Sequence, residues 1–247
     1  MIDHLEFFGL KEDPFRITPD PSYFFPSVSH RNAERLLKYV VDSGEGFCII
    51  IGEPGTGKTT VIRKFLNSLE NFAEYSLILS PQLKPEEFLR AVLHDLGVET
   101  KEENKEELLK LFKKTLEEKV KNGKKVFIIV DEAQLLPLET LEELRLLSNL
   151  ETDKEKLVQI VLVGQPELDE KLKTPQLRQL LQRITSKAYL TPLNLNDTKK
   201  YINHRLMLAG GGNVSFTDKA FKKYINIVKA YKAINILSSR ALCQHFL

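Results

Sequence analysis

The sequence predicts a doubly wound α/β fold with a small helical domain behind it, and three observations carry that prediction. Short runs rich in Val, Ile and Leu recur along the chain, helix-period segments separate them, and from Asn196 onward the pattern is helix-period throughout. Runs that are apolar on both faces suit parallel strands covered by helices on each side. The expected architecture is therefore a five-stranded parallel sheet with flanking helices over residues 1–190, with a linker at 1–30, and a C-terminal helical domain at 191–247.

The first run, FCIIIG (47–52), passes straight into GEPGTGKTT and then into the helix-like VIRKFLNSL. YSLILS (75–80) is followed by PEEFLRAVLHDLG, which sets Phe88, Val92 and Leu96 on one face and stops at Gly97. In KEELLKLFKKTLEEKV, residues Leu108, Phe112, Leu116 and Val120 form one stripe among charges, and those charges read as a solvated face. KVFIIVDE (125–132) precedes PLETLEELRLLSNL, which opens at Pro137 and presents Leu138, Leu141 and Leu144. LVQIVLVG (157–164) is the fourth run and KAYLTPL (187–193) the fifth. DTKKYINHRLMLAG, FTDKAFKKYINIV and AINILSSRALCQHF are then all helix-period, with Gly210, Gly211 and Gly212 between the first two.

Composition narrows the class. With 42% hydrophobic and 28% charged residues among 247, the chain is an ordinary globular protein. Lys and Arg total 36 against 34 Asp and Glu, a formal charge of +2, too balanced to argue for nucleic acid on charge alone. Cys48 and Cys243 lie far apart with no CxxC neighbour and read as reduced packing residues of a cytoplasmic protein. The N-terminal MIDHLEFFGLKEDPF is acidic where a secretory signal needs lysine, and no run approaches the ~20 apolar residues of a membrane span. The last residues, RALCQHFL, stop inside a helix-like pattern, so we expect a longer natural protein.

The bend GEPGTGKT fits G-x-x-x-x-G-K-[ST], with Gly52, Gly57, Lys58 and Thr59 at the fixed positions. Glycines let the backbone take positive φ, so that the loop through Glu53, Pro54, Gly55 and Thr56 can curl around phosphate and turn its N–H groups inward, Pro54 having none to give. The helix after the loop, starting near Thr60, aims its positive end at the same point. Lys58 reaches the β- and γ-phosphates, and the Thr59 hydroxyl suits Mg²⁺. VFIIVDE ends a buried strand with two carboxylates, Asp131 and Glu132, which is costly without a cation or a reacting water opposite. Asp131 is then the Mg²⁺ acid and Glu132 the base that orients the attacking water. The other reading of the pair is a helix-start acid cluster before Pro137.

FFGLKEDPFRITPDPSYFF, GEPGTGKTT, FIIVDEAQLL, LRLLSNLETDKEKLVQIVLVGQPEL and LRQLLQRI followed by LTPL resemble the general secretion pathway protein A family. That family is a group of AAA+ ATPases related to transposition ATPases and origin-recognition-type proteins. The resemblance implies a P-loop NTPase of AAA+ type whose C-terminal helices form a lid, with ATP and Mg²⁺ as cofactors. It implies that Gln165 is a polar sensor of the γ-phosphate and that Arg183 or Arg178 serves as an arginine finger in a homo-oligomer. Such a finger is worth about 10³–10⁵ in rate. Ser80 is implied as a hydrogen-bond partner of Glu132, although the family more often has asparagine there. Lys232, in KAYKAIN, stands where the family keeps a lid sensor arginine, and a lysine meets phosphate as a point charge without the bidentate fork. Adenine is expected between Ile17–Arg31 and the lid, with Phe15, Tyr23, Phe24 and Phe25 more given to packing than to stacking. The implied use is assembly of a secretion complex through a membrane segment beyond Leu247. A nucleotide switch with little turnover and a DNA-associated transposition-type regulator are the alternatives.

Overall fold

The computed structural model describes residues 4–18, 20–69, 72–79, 81–152, 155–211, 214–221 and 231–246. The chain divides into two compact units, neither of them a continuous stretch: one holds residues 32–52 and 61–189, the other 1–31, 53–60 and 190–247.

The first unit is built on a sheet of β1 (Phe47–Gly52), β2 (Ala73–Ile78), β3 (Lys125–Val130), β4 (Gln159–Gly164) and β5 (Ser186–Leu190), in the order β2-β3-β4-β1-β5. The β2–β3, β3–β4 and β1–β4 pairs are parallel, with Tyr75 opposite Phe127, Ile128 opposite Ile160 and Ile49 opposite Leu162. Every residue of β1 and β4 is buried, and so is all of β3 after Lys125, which is why these segments read as unbroken apolar runs. The connecting helices are α4 (Pro85–Asp95), α5 (Lys105–Lys121), α6 (Leu138–Leu147), α7 (Pro166–Leu172) and α8 (Arg178–Arg183), with α2 (Val28–Ser43) and α3 (Lys58–Ser68) earlier in the chain. Of the expected stripes Val120 is half-buried and Leu138 exposed; Phe88 and Val92 of α4, Leu96 just beyond it, and Leu108, Phe112 and Leu116 of α5 join Ile128, Ile160 and Leu144 in one core. Each such side chain contributes about 1.5–3 kcal/mol. Asn104 caps α5 by accepting the N–H groups of Glu106 and Glu107 at 2.9 and 3.2 Å.

Several boundaries differ from the sequence reading. β2 starts at Ala73 rather than Tyr75, because Ala73 pairs with Lys125 and the Phe72 carbonyl already accepts the Lys125 N–H. It ends at Ile78, and Ser80 lies outside the described residues. β4 starts two residues after Leu157, whose N–H is taken by Leu150 O. β5 ends at Leu190, ahead of Pro192, which has no N–H to give a ladder. The structure also adds α2 and α7, which the apolar runs do not mark; the apolar residues α2 buries are only Ala33, Leu37 and Val40. The expected helix at 216–228 falls largely outside the described residues.

In the second unit, α1 (His4–Phe7), α9 (Leu195–Leu208) and α10 (Tyr231–Phe246) share a core with the N-terminal segment: Leu10, Phe15, Tyr201, Ile202, Leu206, Phe221 and Ile234. Arg205 is buried there. Its Nε donates to Pro14 O, its Nη1 to Tyr201 Oη at 2.9 Å, and its guanidinium lies 4.6 Å from the centre of the Tyr23 ring. Tyr201 Oη donates a hydrogen bond to Asn235 Oδ1 at 2.7 Å. Gly210 ends α9 at φ +87°, and a Cβ on Gly211 would stand 2.4 Å from Leu10, so the glycine run permits the N-terminal segment to close on α9. Phe15 packs edge-on to Phe216 and Phe25 to Tyr201. Among the described residues no helix is long and apolar enough to cross a membrane.

Candidate active site

From Gly52 the chain enters residues 53–60 directly, and α3 begins at Lys58. Gly55 and Gly57 take φ +75° and +90°, values that let the loop turn back on itself. The loop is supported at its carbonyls. Glu53 O accepts from Thr56 N at 3.2 Å, Thr56 Oγ1 at 2.8 Å and Lys58 Nζ at 3.3 Å. Gly55 O accepts from the N–H of Tyr231 at 3.1 Å, which gives a partner to one of the donors that a helix start leaves without one. Thr56 O lies 3.0 Å from His30 Nε2; a carbonyl only accepts, so that nitrogen carries a proton. His30 Nδ1 meets Ser27 Oγ at 2.6 Å and Tyr231 Oη at 3.2 Å. Burial pushes the Tyr231 hydroxyl above its ordinary pKa, so it stays protonated. Gly57 is needed twice over, since a Cβ there would stand 2.6 Å from His30 Nε2. Thr56 and Lys58 are buried, Thr59 and Thr60 half-buried, and Glu53, Pro54 and Gly55 exposed.

The acid pair follows β3. Asp131 is 6% exposed, and its N–H still donates to Ile78 O at 2.9 Å. Its Oδ1 accepts the Glu132 N–H at 2.9 Å. Glu132 takes φ +52°, alone among the described non-glycine residues in having a positive value. A left-handed glutamate costs on the order of 1–3 kcal/mol and persists only where its surroundings hold it. Here the surroundings are amides: Glu132 Oε2 accepts from Gln134 Nε2 at 2.6 Å and from Gln165 Nε2 at 2.9 Å. Gln134 Oε1 in turn accepts the Gln165 N–H at 3.1 Å. Gln165 is the cap residue of α7, whose first position is Pro166. Because β1, β3 and β4 are parallel, Gly52, which ends β1, and Asp131 and Gln165, which follow β3 and β4, all stand at the carboxyl edge of the sheet, where open α/β sheets place ligands.

The residue chemistry fits a magnesium nucleotide. Glycine-turned amides and a lysine suit a polyphosphate. The Asp131 carboxylate and Thr59 hydroxyl are hard oxygen donors of the kind Mg²⁺ takes, and phosphate oxygens and waters ordinarily complete its shell. No group of three His, Cys, Asp or Glu among the described residues is placed to hold a metal unaided.

A family model described as "AAA domain" matches residues 41–172. The chain belongs to the AAA domain family. The General secretion pathway protein A of Aeromonas hydrophila is 41% identical over 245 residues, which is 98% of this chain and 45% of that relative, so the chain spans under half the relative's length. Among solved structures, Cdc6p from Pyrobaculum aerophilum gives a TM-score of 0.65 at 20% identity, covering 92% of this chain and 67% of that one. The Aeropyrum pernix ORC1 protein in complex with DNA also gives 0.65, at 15% identity, covering 94% and 63%. At such identities the likeness shows the AAA+ fold alone.

The remaining residues expected of an AAA site are placed as follows. Arg178 and Arg183 begin and end α8, and both are exposed. Lys232 lies in the first turn of α10 and its side chain is outside the described residues. Sequence reasoning missed His30, Tyr231, Gln134 and Lys171. Gln134 had a signal, since it stands two residues after Glu132 in DEAQ; His30 and Tyr231 had none that a local window reveals.

Proposed function

We propose that this chain binds ATP with Mg²⁺ and hydrolyses it. The amides of residues 53–60 and the Lys58 ammonium bind the polyphosphate; Thr59 and Asp131 supply the protein oxygens for Mg²⁺, and Glu132 holds the attacking water. When bound, Mg²⁺ neutralises charge on the β- and γ-phosphates. Gln165 reads the γ-phosphate, Lys232 and the rest of 191–247 serve as a lid, and a neighbouring copy in a homo-oligomer donates Arg183 or Arg178. The likeness to General secretion pathway protein A supports use of this cycle in assembling a secretion complex at the cytoplasmic side of the envelope.

One observation favours turnover over mere binding: Glu132, a strained residue beside Asp131 whose carboxylate is gripped by two amides. Positioning a water by a fixed carboxylate is what phosphoryl transfer asks of a protein. Steady-state ATPase with Mg²⁺, with EDTA and over a range of protein concentrations tests the reading. Turnover should need Mg²⁺ and rise more than linearly with protein if copies share the site. Glu132→Gln should bind ATP normally while kcat falls about 10²–10⁴-fold. A wild-type rate that stays at background under all these conditions removes the proposal.

A further inference from the structure

The turn that carries Glu132 is tied to α7 at three places, and Gln134 is the joint. Its amide orientation is set by chemistry. The Gln165 main-chain N–H can only donate, so the atom facing it at 3.1 Å is the Gln134 oxygen. The Gln134 NH₂ is thereby left facing the Glu132 carboxylate, which can only accept, at 2.6 Å. Gln165 closes the triangle by donating its own side-chain amide to the same Oε2 at 2.9 Å. The third tie is Lys171, near the C-terminal end of α7, whose Nζ donates to Gln134 O at 2.9 Å and to Leu136 O. Room for the joint comes from Gly164: a Cβ there would stand 2.9 Å from Gln134 Oε1 and 2.8 Å from Leu168 Cδ2.

Resting on the functional reading above, we propose that Gln134 is a positioning residue for the Glu132 base and makes α7 and the base-bearing turn move as one body. Any displacement of Gln165 then reaches Glu132 through two hydrogen bonds instead of one. Gln134 itself touches no substrate; it acts only by fixing where the carboxylate points. Lys171 has a supporting part, holding the main chain of the turn from behind. Its ammonium is half-buried, and burial lowers its pKa from the ordinary lysine value, as a cation bonded mainly to carbonyls would show.

The experiment is a kinetic cycle on the whole chain with Mg²⁺ and ATP. Gln134→Leu keeps the bulk and removes both hydrogen-bonding ends; kcat should fall about 10–100-fold, the scale of a misplaced reacting group, with KM and calorimetric ATP affinity unchanged. Placed on Glu132→Gln, the same change should produce no comparable further loss, since the Glu132 carboxylate is the route proposed for its effect and the other Gln134 bond goes only to the Gln165 main-chain N–H. A purely packing role predicts the opposite: a lower Tm, and a further loss in the double variant. If Gln134→Leu melts early, Gln134→Asn, which keeps the amide but withdraws it by one methylene, should show the same kcat defect. Wild-type turnover that Glu132→Gln abolishes and Gln134→Leu and Gln134→Asn leave intact overturns this inference alone. Absence of wild-type turnover overturns it together with the functional reading.

Discussion

The phosphate loop and the base-bearing turn solve the same problem, holding a short irregular segment still, by opposite means. In the loop the supports fall on main-chain carbonyls: Glu53 O, Gly55 O and Thr56 O accept from Lys58, Tyr231 and His30. In the turn the supports reach the functional side chain itself, as two amides on one carboxylate oxygen. The difference follows from which group does the work. A phosphate cradle acts through N–H groups, so it is best braced from its carbonyl side. A base acts through its side chain, and bracing the backbone alone would leave its rotamers free. Loop support should therefore govern affinity and turn support turnover.

Losing Lys58 should have the largest effect on the loop side. Lys58→Ala removes a charged hydrogen bond worth about 1.5–3 kcal/mol and should weaken ATP binding about 10–100-fold by calorimetry. Next is Gly57→Ala, which combines φ +90° with a Cβ 2.6 Å from His30. It should lower Tm by several degrees and weaken ATP binding, at a strain cost of about 1–3 kcal/mol. His30→Ala leaves the Thr56 carbonyl without that donor and should cost about 5–10-fold in affinity with kcat nearly unchanged. Tyr231→Phe, which retains the main-chain donor to Gly55, should change affinity less than His30→Ala. If His30→Ala instead cuts kcat at unaltered affinity, the division between the two regions is wrong.

The smallest expected effect sharpens the turn side. The Lys173 ammonium just beyond α7, bonded to Asp169 on that helix, lowers the carboxyl below its ordinary value, so the folded chain releases the proton more readily than the unfolded chain does. The stabilisation is thus complete above the ordinary carboxylate pKa of about 3.9 and is lost as pH falls through the depressed folded value. Asp169→Asn should flatten the acid limb of Tm against pH and leave kcat at neutral pH unchanged. A large kcat loss would mean that all of α7, and not only Gln165 and Lys171, positions the base.

How much of this was legible in advance varies with the distance between partners. FCIIIG coincides with β1, and DE stands at the carboxyl edge because a buried parallel strand has no choice but to be apolar until it ends. Gln165 follows β4 for the same reason, one strand over. β2 was misplaced by two residues because Ala73 and Glu74 look polar or small in isolation and become strand only through pairing with Lys125 and Val126. α2 was hidden because its buried stripe is narrow and its polar residues dominate.

By itself, then, the chain's order of residues determined the sheet, the loop and the acid pair, since strand burial, glycine turns and motif spacing are local or periodic properties. Only the tertiary structure decided what steadies them. His30 reaches a carbonyl 26 residues away, Tyr231 returns from the far end of the chain, and Gln134 meets Gln165 across 31 positions. A hydrogen bond between such partners leaves no period in the sequence, because its geometry exists only once the elements between them have packed.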